Sequence, residues 1–156
     1  MPSRLRLGGV PLHPALVHFP VVAWTLTPCL WGYTALTGEP AAWQIGYWSL
    51  AAGVTLALPA MFAGLMDFID LPQDEAVMPV ANRHVLAMTT AWTLATLLLV
   101  FAPRDVPATR PGIWLALAGA GTIVILMAAG AHLGGRLVYH FAIGVNARNA
   151  AHERKA

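Results

Sequence analysis

The fold is decided by the stretch PGIWLALAGAGTIVILMAAGAHLGG, residues 111–135, which contains no Asp, Glu, Lys or Arg. A helix needs about 20 apolar residues to cross the hydrocarbon core of a membrane. Three further charge-free stretches reach that length, at residues 7–38, 40–66 and 84–103. Because backbone groups in lipid must be hydrogen-bonded within the segment, each stretch predicts a helix. The sequence therefore predicts an all-α, integral membrane four-helix bundle.

Composition supports this prediction and excludes several classes of protein. Of the 156 residues, 58% are hydrophobic and 10% are charged, against roughly a quarter charged in soluble domains. The net charge of +2 comes with no basic stripe, so no nucleic-acid partner is expected. Cys29 is the only cysteine, which excludes an internal disulfide and a CxxCH motif for covalent haem attachment.

Prolines and glycines divide the chain into its predicted segments. Pro14, Pro79 and Pro111 each lie where a first helical turn begins, a position that tolerates a missing N–H. The predicted segments are an N-terminal segment 1–13, a bundle 14–135 with helices at about 14–37, 42–66, 80–101 and 112–133, and an amphipathic, basic tail 136–156. The tail either lies along the interface or extends the fourth helix. The sequence shows no obvious repeat.

The distribution of Lys and Arg predicts the orientation. With four spans, both termini and the middle loop share one side of the membrane. That side carries Arg4, Arg6, Arg83, Arg136, Arg148, Arg154 and Lys155, and the other side carries Arg104 and Arg110. Since cytoplasmic loops are enriched in basic residues, we expect cytoplasmic termini in a bacterial inner (plasma) membrane.

All six histidines fall on the side of the termini, where each helix brings an ionisable group to one end of the bundle. His18, His84 and His132 lie inside predicted spans, and Asp67 closes the second helix. His13 and His152 are expected to be interfacial or solvated, and His140 follows the fourth helix. Ionisable residues at membrane depth are costly and indicate a functional site. As a simpler alternative, these side chains only snorkel or fasten helices.

The first hypothesis is a b-type haem that transfers electrons. His18 with His84 or His132 would be the axial ligands, because facing helices of a bundle can hold haem iron between them. Arg83 and Arg136 can hold the propionates at the interface. The small residues that can open a slot for the macrocycle are Gly64, Gly130, Gly134 and Gly135.

Other hypotheses remain open at this point. His18, His84, His132 and Asp67 can equally hold a zinc, copper or iron ion, for catalysis or transport. If Asp67 is not a metal ligand, we expect it to orient one of the imidazoles or to pair with Arg83 or His84. The chain can also be a structural subunit of a larger membrane complex or a homodimer. A redox partner protein or a quinone is expected as the electron donor or acceptor.

Tryptophans are the least informative of the predicted features. Trp31, Trp43 and Trp114 lie near predicted interfaces, where an aromatic belt accounts for them. They can also bracket a quinone.

Several motifs resemble those of a widespread group of small bacterial four-helix membrane proteins of unknown function. The opening HPALVHFP at residues 13–20 resembles the HPxxVHFP motif of that group, and GGRLVY at residues 134–139 resembles its GGxLVY motif. The resemblance extends to Gly64-Leu65-Met66-Asp67 and to Arg83-His84 and covers nearly the whole chain. Ala142 departs from the family, which often has glycine near this position. Members of the family are sometimes joined to Rieske-type iron–sulfur domains, which implies redox work by analogy.

Overall fold

Four long helices form an up-down-up-down bundle in the computed structural model, which describes residues 3–107 and 109–144. The elements are β1 (Arg6–Leu7), β2 (Val10–Pro11), α1 (Leu12–Leu16), α2 (His18–Thr37), α3 (Pro40–Ile69), α4 (Met78–Phe101) and α5 (Arg110–Tyr139). α1 and α2 together make one span, interrupted at Val17. The four spans are each long and apolar enough to cross a membrane. The predicted fold class is therefore confirmed.

The interruption at Val17 has a cause in the sequence. Pro20 lies in the first turn of α2 and has no N–H to donate to the carbonyl of Leu16. The backbone bonds on either side persist, from Val17 N to His13 O and from Val21 N to Val17 O, both at 3.2 Å. The span therefore continues in direction while its first five residues form a separate short helix.

The tight break between α2 and α3 follows from three consecutive residues. Gly38 ends α2 in the left-handed conformation, with φ of +77°, and its N–H donates to Thr34 O at 2.8 Å. The carboxylate of Glu39 accepts a hydrogen bond from the backbone N–H of Ala41, and Pro40 occupies the first turn of α3. Each of these residue types favours the position that it occupies.

Two helices run further than the sequence predicts. α3 continues past Met66 to Ile69, and α5 continues past Leu133 to Tyr139. The pair Gly134-Gly135 suggested an end to the fourth helix, because glycine is a weak helix former. Packing of a histidine against Gly134 keeps this part of α5 helical. Of the predicted tail, residues 136–139 belong to α5, whereas residues 145–156, including His152, lie outside the described residues.

The N-terminal segment folds into a small hairpin before the first span. β1 and β2 pair antiparallel, with Arg6 opposite Pro11 and Leu7 opposite Val10. Gly8 and Gly9 form the two-residue turn, with φ of +57° and +86°. Positive φ at both central residues is typical of the turn that joins tight hairpins. Gly-Gly between two apolar residues was the sequence signal for this hairpin.

The four spans divide into two hairpins, α2–α3 and α4–α5. α2 packs against α3 and α5, and α4 packs against the same two helices. Exchanging α2 with α4 and α3 with α5 preserves both the directions and the neighbours, so the two hairpins are equivalent in topology, as an approximate two-fold axis along the bundle would make them.

The core at the far end of the bundle is built from tryptophans on glycines. Trp24 packs on Gly53, and Trp31 packs on Gly46 and stacks on Trp43 at a centroid distance of 4.4 Å. The predicted aromatic belt is wrong for Trp31 and Trp43, whose side chains are completely buried between helices.

Candidate functional site

The second hairpin presents His84 from the second turn of α4 to the facing helix α5. Its Nδ1 lies 2.8 Å from the backbone carbonyl of Gly130. The ring covers Gly134, one turn further along α5, where an added Cβ would lie 3.1 Å from the ring Cε1. Met88, one turn after His84, covers Gly130 in the same way. The half-buried imidazole is thus held between two helices at a point where only glycine permits such close approach.

The first hairpin presents His13 in the same manner. The Nδ1 atom of His13 lies 2.7 Å from the backbone carbonyl of Ala60 on α3, and the ring covers Gly64 one turn later. A Cβ on Gly64 would lie 2.8 Å from the ring Cε1. The prediction that His13 is interfacial or solvated is wrong, because the ring is half-buried and bonded to α3.

The two histidines are equivalent under the approximate two-fold axis. His13 and its acceptor Ala60 are 47 residues apart, and His84 and its acceptor Gly130 are 46 residues apart. The glycine under each ring follows the acceptor by one helical turn. Both imidazoles lie at the end of the bundle that carries the N-terminus, one in each hairpin, as a histidine pair.

The hydrogen bonds fix which nitrogen of each ring carries a proton. A backbone carbonyl only accepts, so Nδ1 of His13 and Nδ1 of His84 must each donate. In the neutral rings the Nε2 atoms then keep their lone pairs. An imidazole that donates through Nδ1 to a carbonyl is oriented and made more basic, which is the usual arrangement of a metal-ligating histidine. The pair offers two such nitrogens.

The other predicted histidine ligands do not join this pair. His18 follows His13 by five residues, which places it on a different face of the span, and its side chain is exposed. Its Nδ1 lies 3.4 Å from the carbonyl of Ala15 in its own span. His132 lies two residues from Gly130 and from Gly134, hence on the opposite side of α5 from His84. The predicted axial role of His18 and His132 is therefore not supported by their placement.

His132 instead lines an open groove on the outer face of the last turns of α5. The groove residues are His132, Gly135, Arg136, Tyr139 and His140. His132, Arg136 and His140 are spaced i, i+4 and i+8 and share this face, which points away from His84. Arg83 is exposed beside His84, and Gly134 lies directly under the His84 ring.

Asp67 has partners other than those predicted. Its carboxylate accepts hydrogen bonds from the Ser3 hydroxyl, at 2.7 and 2.8 Å, and from the backbone N–H of Arg4 at 2.8 Å. We predicted pairing with Arg83 or His84, which is wrong because the N-terminal segment occupies the carboxylate. The arginine that does form an ion pair here is Arg4, whose Nε lies 3.1 Å from Asp70.

The predicted four-ligand metal centre is not assembled. Within residues 3–107 and 109–144, no three His, Cys, Asp or Glu side chains come together as a group that could hold a metal ion. His18, Asp67, His84 and His132 each face a different surrounding. The sequence analysis did not select His13 and Ala60, which the structure joins by a hydrogen bond. The near-equal spacing of His13 and His84 from their glycines was the signal that could have found them.

The fold defines a class: a multi-pass membrane protein that folds as a four-helix bundle. The chain belongs to the family described as "Predicted membrane protein (DUF2231)", whose model matches residues 9–147. The predicted membership of a membrane-protein family of unknown function is confirmed at that level. No curated protein and no solved structure matches the chain significantly.

Proposed function

We propose that this chain is a membrane-embedded b-type haem protein that transfers electrons, with His13 and His84 as the axial ligands. The observation that carries the proposal is the pair of Nε2 lone pairs, one from each hairpin, both oriented by Nδ1–H bonds to helix carbonyls. A six-coordinate b-type haem takes two protein ligands, and His13 and His84 would be those ligands.

The size of the ligand set favours haem over most free ions. A structural zinc site takes four protein ligands and a catalytic one takes three. Among the described residues no group of three or more such side chains forms, and the proposal uses two imidazoles. In haem the four pyrrole nitrogens complete the coordination, so two imidazoles are sufficient.

The chain's own residues have defined roles in this proposal. When bound, haem supplies a one-electron iron couple. The carbonyls of Ala60 and Gly130 hold the imidazoles in one orientation, and the surrounding apolar helices limit access of water, which tunes the reduction potential. Arg83 lies beside His84 at the membrane surface and suits a propionate. Arg136 lines the outer groove with His132, away from His84, so Arg136 has no propionate role in this proposal.

The electron donor or acceptor is proposed to approach from the end of the bundle that carries the pair. Among the described residues this end holds Arg4, Arg6, Arg83 and Arg136, and the far end holds Arg104 and Arg110. The excess of basic residues supports our proposal that this end lies on the cytoplasmic side of a bacterial inner membrane. Reporter fusions after residue 105 and at the C-terminus test this orientation, with an active periplasmic reporter expected only at residue 105.

The decisive experiment is a spectrum of the purified protein from haem-replete cells. We expect a reduced-minus-oxidised spectrum with the α band of six-coordinate haem and about one haem per chain by pyridine haemochrome. His13→Ala and His84→Ala should each remove the six-coordinate signature, and His132→Ala should retain it. A wild-type protein that is folded and monodisperse in detergent yet carries no haem would reject the proposal.

A copper ion is the second candidate, because Met88 adds a third soft ligand to the pair. Its thioether lies one turn after His84 on the same face of α4. Imidazole and thioether groups both suit copper. Stoichiometric copper by elemental analysis, without a haem spectrum and with loss in Met88→Leu, would favour this candidate. A protein free of metal and haem would reject both and leave each histidine as a fastener between the two helices of its own hairpin.

A further inference from the structure

Asp67 lies near the carboxyl end of α3, where a negative charge is unfavourable. The free carbonyls at a helix C-terminus carry partial negative charge, so a carboxylate there needs donors of its own. The donors are the Ser3 hydroxyl and the Arg4 backbone N–H. Ser3 is buried, although it is polar and almost at the start of the chain. The contact is therefore a specific attachment of the N-terminal segment.

The attachment is short and leads directly to His13. Arg4 also binds Asp70, with Nε 3.1 Å from the carboxylate. The hairpin of β1 and β2 follows, and its base is closed by the bond from Leu12 N to Leu5 O at 2.9 Å. His13 is the next residue along the chain. The contacts of Ser3 and Arg4 with Asp67 and Asp70 form a clasp between the N-terminal segment and α3. Eight residues lie between Arg4 and His13, and six of them, residues 6–11, form the hairpin.

The same face of α3 carries both the attachment and the floor of the site. Ala60, Gly64 and Asp67 are spaced i, i+4 and i+7, so they form one stripe along the helix. Ala60 accepts from His13, Gly64 lies under its ring, and Asp67 holds the segment that precedes it. In α5 the residue three positions after Gly134 is Leu137, so the second hairpin has no matching carboxylate.

We propose that Asp67 is a positioning residue, which holds residues 3–12 against α3 and thereby keeps His13 over Gly64. The expected change in haem coordination rests on the proposed haem function. The expected release of the N-terminal segment does not. His84 needs no such device, because it lies within a continuous helix. Loss of the clasp releases His13 and leaves His84 in place.

The first arm of the test uses the protein without cofactor, in detergent, and measures backbone hydrogen exchange. Asp67→Ala should raise exchange in residues 5–17 by about tenfold or more, since several hydrogen bonds are lost together. Ser3→Ala removes one donor without touching the bundle and should give a smaller rise. Asp74→Ala is the matched control: its carboxylate accepts from Ala76 N on the same side of the membrane and does not contact the N-terminal segment.

The second arm uses the haem-loaded protein. Asp67→Ala and Ser3→Ala should convert part of the six-coordinate haem to five-coordinate, and Asp67→Glu should restore six-coordination. Asp74→Ala should match the wild type. A merely structural role for Asp67 would lower the melting temperature without this change in coordination.

Each outcome decides the inference. Unchanged exchange in Asp67→Ala and in Ser3→Ala overturns it, and so does raised exchange with unchanged coordination. If Asp67→Ala does not fold, Ser3→Ala decides in both arms. If the wild type holds no haem, the proposed function fails, and the exchange arm still decides whether Asp67 holds the N-terminal segment.

Discussion

The two hairpins carry the same unit, a histidine bonded to a helix carbonyl above a glycine, but they support it differently. His84 lies in the continuous helix α4, six residues after its first residue. His13 lies in a five-residue helix, before the interruption at Val17, and depends on the clasp at Asp67. One proposed ligand, His84, therefore lies in a continuous spanning helix. The other, His13, lies in a short helix that depends on the bonds of the N-terminal segment to Asp67.

The largest expected effect comes from removing each histidine in turn. His84→Ala should lower haem affinity by more than about 100-fold, since even residues that only orient a ligand are worth about 10–100-fold. His13→Ala should keep part of its haem on His84 and recover six-coordination with added imidazole. Haem content and an imidazole titration measure both effects. Equal losses and no response to imidazole would contradict the difference between the two sites.

The next largest effect is expected on the free energy of unfolding, for substitutions at two glycines far from the site. Gly53→Ala places a methyl group on the buried Trp24 ring, whereas Gly119→Ala places one 3.3 Å from the flexible Leu98 side chain. We expect a loss of about 2–3 kcal/mol in the free energy of unfolding for Gly53→Ala and less than about 1 kcal/mol for Gly119→Ala. Unfolding in mixed micelles measures both. A larger loss at Gly119 would mean that the first hairpin is not the more tightly packed one.

A third comparison concerns the glycines under the two rings. An added Cβ would lie 2.8 Å from the His13 ring at Gly64 and 3.1 Å from the His84 ring at Gly134. Gly64→Ala should therefore displace its histidine further and cost about 1–2 kcal/mol, and Gly134→Ala should cost less. Gly121→Ala is the control, because nothing lies within 4 Å of its Cβ position. It should be neutral or stabilise the helix by up to about 1 kcal/mol in the same unfolding measurement.

The smallest effect is expected for the histidines that the sequence favoured wrongly. His18→Ala should change the free energy of unfolding by less than about 0.5 kcal/mol, because the side chain is exposed and its one contact is long. Haem content should stay at the wild-type level. A clear loss of haem in this variant would restore His18 to the site at the expense of His13.

Charge-free length was enough to predict the four spans, because lipid leaves the backbone few alternatives to a helix. The side of the site was also predictable, since topology alone brings His13, His84 and the ends of α3 and α5 together. The ligand pair was not predictable from hydropathy. It depends on which face of a helix each side chain occupies, and on a glycine floor that lies about fifty residues away in the sequence.

The partner of Asp67 was beyond prediction for a different reason. A carboxylate at a helix end accepts a hydrogen bond from any donor that reaches it. The sequence suggested Arg83 or His84 as that donor. The actual donors, Ser3 and Arg4, arrive through the folding of the N-terminal hairpin. Gly8 and Gly9, with positive φ values, form the turn of that hairpin. These glycines predict the turn but do not predict which helix the strands pack against.

The approximate two-fold axis has a consequence for how such a site can originate. Each hairpin by itself holds one imidazole, one carbonyl acceptor and one glycine floor, which is half of the paired site. Two copies of a single hairpin, packed side by side about such an axis, would already bring both halves of the proposed site to one end. Fusing the copies into one chain then frees each half to diverge. The clasp at Asp67 occurs in the first hairpin and not in the second. An assembly of two identical hairpins could not carry such a difference.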